Sequence, residues 1–189
     1  MKKSLACLSL AFLLTACGSL PKAASSPSQH DLGGSFHALK HAGLPVQRLT
    51  VSAAPVVASH VMAYREAVRP TLRGAYAFNR WAAPPANLVE QALGRILPMK
   101  AGSHCRLDFQ LADAILEIDR ENQASVLLSG SLRLIGAEGG LLARELVEQR
   151  SPVAKPGPAE EAEGLRLAVE ALAGQTAAWL DGEAGKACR

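Results

Sequence analysis

From Cys105 onward the apolar positions fall on every second residue. Leu107, Phe109 and Leu111 share one face of an extended chain, and Val126, Leu128, Leu132 and Leu134 repeat the pattern around Gly130. A period of two predicts half-buried strands. Leu116 and Ile118 are out of phase by one residue, which predicts a bulge near Asp113. Upstream, "LPVQRLTVSAAPVVAS" alternates through Val46, Leu49 and Val51 and ends at a proline turn, so it predicts a strand. "HVMAYREAV" and "LRGAYAFNRW" are shorter strand candidates. "GAEGG" at 136–140 predicts a hairpin turn. "LLARELVEQRSPV" contains helix-favouring residues, but its place after a strand and a short turn predicts a paired strand.

Two segments switch to a helical period. Pro84-Pro85 sets the φ angle of a first turn. Behind it Leu88, Val89, Ala92, Leu93, Ile96 and Leu97 form one apolar face, and Pro98 stops it. Near the C-terminus Leu165, Ala168, Val169, Leu172, Thr176, Trp179 and Leu180 form a second stripe. "AKPGPAEEAEG" predicts a loop leading to it. The order is strands, helix, strands, helix. That predicts an α+β fold, a mostly antiparallel sheet packed against two main helices in a single domain.

The N-terminus has a different grammar. "MKKSLACLSLAFLLTAC" places two lysines before an apolar run, Leu5 to Leu14, and then small residues. This is the layout of a secretory signal peptide. An apolar run of about ten residues is too short for a spanning helix, which needs ~20. Residues 1–16 are read as the signal. Residues 17–35 are rich in Ser, Ala, Pro and Gly and are read as a flexible tether, with an r.m.s. reach of roughly 20–25 Å. The folded domain is expected over 36–189, with the mature chain running from Cys17 to Arg189. The whole chain carries a formal charge of +3; without Lys2 and Lys3 it is +1. So small a charge, with 4% aromatic residues, points away from nucleic acid.

Candidate chemistry is sparse. Cys7 lies inside the signal, and Cys105 and Cys188 remain once Cys17 is set aside. In an oxidising compartment these two are expected to form a disulfide closing about 83 residues; the alternative is two free thiols. No C-x-x-C occurs, so no metal site is expected. His37 and His41 are four apart, a spacing that can set two ligands on one helix face, but nothing acidic lies between them. They are read as solvated, and His30-Asp31 as part of the tether. Ser129-Gly130-Ser131 is not a nucleophile elbow, and Gly139-Gly140 lacks the Lys-Ser/Thr of a phosphate loop. No catalytic residue is expected, and no enzyme.

Two stretches carry a resemblance. Leu14-Thr15-Ala16-Cys17 resembles the lipobox of bacterial lipoproteins at all four positions. Tyr64-Arg65, Tyr76, Arg80-Trp81-Ala82, Pro84-Pro85, and Leu88, Leu93 and Leu97 are similar to the ABC-type transport auxiliary lipoproteins (PqiC-like, MCE-associated). The similarity covers about residues 36–181. The lipobox implies a diacylglycerol on Cys17 and an N-acyl chain on its new amine, with no other cofactor. Two or more chains hold a protein stably on a membrane. The family implies a cell-envelope protein on the periplasmic face that works with an MCE-domain protein and inner-membrane ABC transporter components in lipid transport. It also implies a capacity to form homo-oligomeric rings. Gly18 after Cys17 implies the outer membrane. The rival readings are a lipid-binding module with its own cavity and an assembly lipoprotein, pilotin-like, for another envelope machine. Among the matched residues, Trp81 is read as packing the helix onto the sheet, with surface contact as the alternative. Tyr64 and Tyr76 are read as buried rings with wet hydroxyls. Arg65 and Arg80 are open to carboxylate pairing or to partner contact.

Overall fold

A computed structural model describes residues 26–41 and 43–188. Cys17 and the signal lie outside them. The strands are β1 (Ser28–His30), β2 (Arg48–Ala53), β3 (Val61–Glu66), β4 (Gly74–Trp81), β5 (Arg106–Ile118), β6 (Ala124–Ile135) and β7 (Leu141–Val153). The helices are α1 (Pro85–Ile96) and α2 (Pro158–Asp181). They build one seven-stranded mixed sheet in the order β1-β4-β3-β5-β6-β7, with β2 paired to β5 off that path. The fold is α+β, as the alternation of periods predicts.

The long strands β5, β6 and β7 are antiparallel. The β5 register slips between Leu111 and Asp113, at the phase break in the sequence. The other edge of β5 is shared by two strands, both parallel to it. β2 takes Arg106 to Leu111, and β3 takes Leu116 to Ile118. Among the described residues of the N-terminal half, only β3 and β4 pair antiparallel. The 136–140 turn closes as a hairpin, with Gly136 N–H donating to the Gly140 carbonyl at 2.9 Å. The residues 141–153 are a strand despite their helical propensity. Pairing with β6 along the whole length decides it.

Both helices cover one face of the sheet. Leu107, Phe109, Leu111, Leu116, Leu128, Leu132 and Leu134 are fully buried beneath them. α1 contributes Val89, Ala92, Leu93 and Ile96, and α2 contributes Leu165, Ala168, Val169, Leu172 and Leu180. Two glycines allow close approach. A Cβ on Gly130 would lie 2.3 Å from the Gln110 carbonyl oxygen and 2.6 Å from the Phe109 ring. A Cβ on Gly164 would lie 2.5 Å from Val126. These contacts leave no room for a side chain where Phe109 fills the core and α2 crosses the sheet.

Two sequence assignments are corrected. Residues 28–30, read as tether, form β1 and pair parallel with Asn79 to Trp81. Leu32 behind them is buried. A strand of three residues held by backbone bonds leaves no apolar period to read. α2 begins at Pro158, not after the predicted loop. Proline at the first helical position needs no N–H, so it starts the helix inside a segment whose composition suggests a turn.

Candidate functional site

The Arg-Trp-Ala-x-Pro-Pro stretch forms the corner between β4 and α1. The Trp81 ring is 1% exposed and fully inside the core. Its backbone N–H donates to the His60 carbonyl at 2.8 Å, and its carbonyl faces His60 Nδ1 at 3.0 Å. Ala82 N–H donates to the His30 carbonyl at 2.7 Å. Pro84 is the N-cap, with Pro85 in the first turn. Asn87 N–H donates to the Pro84 carbonyl at 2.9 Å. Backbone bonds at the corner thus tie β4 to β1 and to the start of β3, beside one buried ring.

Tyr64 and Tyr76 pack together on the helix side of the sheet, ring centroids 5.2 Å apart at 47°. Burial raises the pKa of the Tyr76 phenol, and the charges of Glu161, Tyr64 and Glu160 add to the rise. Glu161, in the first turns of α2, was not foreseen. It is 1% exposed, and neither carboxylate oxygen has a hydrogen-bond partner of good geometry among the described residues. Burial pushes its pKa up to about 8, against the opposing pull of the Ala63 backbone and of Arg73. The sequence held one signal. Glu161 lies four residues before Leu165, so it extends the apolar stripe of α2 by one turn.

Arg65 points to the other face, away from the helices. There it binds Glu117 at 3.0 Å and Asp113 at 3.3 Å. Asp113 also takes Arg73 at 3.0 Å. Glu117 also takes Arg150, which binds Glu148 at 2.9 Å. The ladder Arg73-Asp113-Arg65-Glu117-Arg150-Glu148 crosses β3, β5 and β7. It holds three cations and three anions, so it neutralises itself. Each exposed pair contributes at most about 1 kcal/mol. The bulge is what turns Asp113 into this ladder. Ala63, Ile115 and Leu127 form a small apolar cluster on the same face. Arg80, by contrast, is exposed.

The open face also carries two grooves. One, of about 490 Å³, runs over Gln110, Ala112, Ser129 and Ser131 beside Leu146. The other, of about 470 Å³, lies at the end of the ladder by Arg65, Glu117, Arg150 and Pro152. Among the described residues no hydrogen bond joins the Ser129 or Ser131 hydroxyl of the first groove to its Glu148 carboxylate. Among the described residues no cluster of His, Cys, Asp and Glu could hold a metal ion. His37 and His41 lie outside any helix, and His41 instead faces Asp181 at 2.8 Å. His30, in β1, faces Asn79 Oδ1 at 2.8 Å. No helix among the described residues is long and apolar enough to cross a membrane.

Cys105 and Cys188 are joined, with an S–S distance of 2.05 Å. The bond ties a C-terminal 3₁₀ turn, Ala184–Cys188, to the start of β5. Replacing both with serine is expected to lower the unfolding free energy by about 2–4 kcal/mol. Urea unfolding of the two proteins reads this; equal midpoints would show that the tail is held without the bond.

No family model and no curated protein matches the chain. Solved structures do. A Xanthomonas campestris protein described as DUF330 is similar over 85% of this chain and 97% of its own, with a TM-score of 0.69 and 16% identity. An uncharacterized protein is similar over 82% of this chain and 98% of its own, with a TM-score of 0.60 and 14% identity. At these identities the likeness concerns architecture: the chain has the fold of that DUF330 protein over 85% of its length.

Proposed function

We propose that the chain is a lipid-anchored, non-catalytic accessory component of an ABC-type lipid transport system of the cell envelope. The observation that carries this reading is the lipobox Leu14-Thr15-Ala16-Cys17 placed ahead of the Trp81 corner. The corner's matched residues are its organising core, and the fold is compatible with the resemblance. An acylated Cys17 keeps the domain on the periplasmic face of a membrane, and Gly18 directs it to the outer one. The partners on this reading are an MCE-domain protein and the transporter's inner-membrane components, and energy comes from them. Copies of the chain assemble with one another in the same machine.

Crosslinking in intact cells, followed by mass spectrometry of the captured species, tests the reading. Recovery of an MCE-domain protein or an ABC component is the expected result. Capture of a β-barrel or secretin in their place would move the protein to another envelope machine.

A further inference from the structure

The β1 pairing fixes where the N-terminal segment meets the domain. Ser28 sits beside Asn79, and β1 runs parallel to β4. The chain therefore enters β1 from the Gly74 side, the side of the 67–73 turn between β3 and β4. From the level of Asn79 to that of Gly74 is five residues of strand, about 17 Å. Ten residues, 18–27, separate Cys17 from Ser28. Fully extended, ten residues reach at most roughly 33–36 Å. A lipid on Cys17 therefore keeps the entry to β1, and the turn about 17 Å beyond it, within reach of the same bilayer.

The turn suits a lipid surface. Val68 is 67% exposed and Leu72 52%, both at the tip, and Phe78 on β4 behind them is 66% exposed. Arg69 is also exposed there, paired with Glu66 at 2.5 Å. An aliphatic tip with a neutralised cation can enter the headgroup zone without carrying an unpaired charge. The opposite end of the sheet, at the 136–140 turn, lies a full long strand away.

We propose that the 67–73 turn is a second membrane contact, with Val68 and Leu72 seated in the headgroup region of the bilayer that holds Cys17. This rests on the anchor reading above. The contact sets the domain's orientation: the long strands stand away from the membrane, and the 136–140 turn and the Cys105–Cys188 end point outward.

The test uses the full processed chain in phosphatidylcholine–phosphatidylglycerol vesicles containing a shallow nitroxide lipid. An environment-sensitive fluorophore is placed at Val68→Cys, Leu72→Cys or, in the opposite turn, Glu138→Cys. The first two are expected to lose at least half their emission to the nitroxide, and Glu138→Cys to lose none. Thr71→Cys, exposed in the same turn, keeps the measurement available if either variant fails to fold. Unquenched labels in the turn on a chain that floats with the vesicles would overturn the proposal and leave the anchor standing. A chain that stays in the aqueous fraction would overturn the anchor, and the proposal with it.

Discussion

Trp81→Ala is expected to lower the free energy of unfolding by about 3–5 kcal/mol, the usual cost of emptying a buried aromatic site. The site is poorly able to collapse. Prolines fix the chain on one side, and backbone bonds to His60 and His30 fix it on the others. Trp81→Phe is expected to lose much less, under about 2 kcal/mol. The indole Nε1 is buried without a hydrogen-bond partner among the described residues, so the smaller ring forfeits no bond. Chemical denaturation followed by far-ultraviolet circular dichroism measures both. A loss below about 1 kcal/mol for Trp81→Ala would contradict a core role and favour surface contact for the ring.

The second large effect concerns Glu161, and its direction is unusual for a carboxylate. The folded pKa of about 8 lies above the ordinary value of 4.5. Below pH 4.5 the group is neutral in both states, and its folding contribution is at its most favourable. Between pH 4.5 and 8 the unfolded chain ionises while the folded one holds its proton, so stability falls as pH rises. Above pH 8 both states are ionised and the loss is complete, of order 3–5 kcal/mol. Tyr76 is coupled to the group on the helix side of the sheet, Arg73 acts on it through its charge alone, and Glu160 flanks it on α2. Glu161→Gln is expected to remove this decline and to raise stability at pH 7 by about 2–3 kcal/mol. For a chain of this size that raises Tm by about 4–10 °C. Thermal melts of both proteins from pH 4 to 9 check it. Parallel curves would show that Glu161 is ionised in the fold at neutral pH.

The elements with the strongest periods were the most legible. β5 and β6 alternate cleanly because both lie beneath the helices, and the phase slip at Asp113 marks the observed bulge. α1 is legible because prolines bound it at both ends. The topology is not legible in the same way. Nothing in "RLTVSA" or "VMAYRE" says that β2 and β3 divide one edge of β5, since the side-chain period is the same for any neighbour. β1 is illegible for a simpler reason. Three polar residues hold their place through backbone bonds and one side-chain contact, His30 to Asn79, with no apolar period.

The candidate site divides along similar lines. Trp81 is legible as a core residue because a bulky apolar ring beside two prolines has few other uses. Arg65 pairs with carboxylates, one of the two roles its sequence left open, because the bulge delivers Asp113 and the parallel register delivers Glu117. Those acids lie about fifty residues away, beyond any local spacing rule. Glu161 was hidden by composition. A glutamate after Pro-Ala-Glu reads as a solvated first helical turn, and only the tertiary placement of α2, which brings it to the Ala63 backbone and Tyr76, buries it.

The three-residue strand β1 has a mechanical consequence. A pull on the N-terminal segment reaches β1 before any long strand, and few backbone bonds resist it. The core behind it is held by full-length ladders between β5, β6 and β7. Under load β1 is expected to detach first, and the unravelling to stop at Leu32, which is buried in the core. The edge strand is thus expected to yield to a pull that leaves the helices and the long ladders in place.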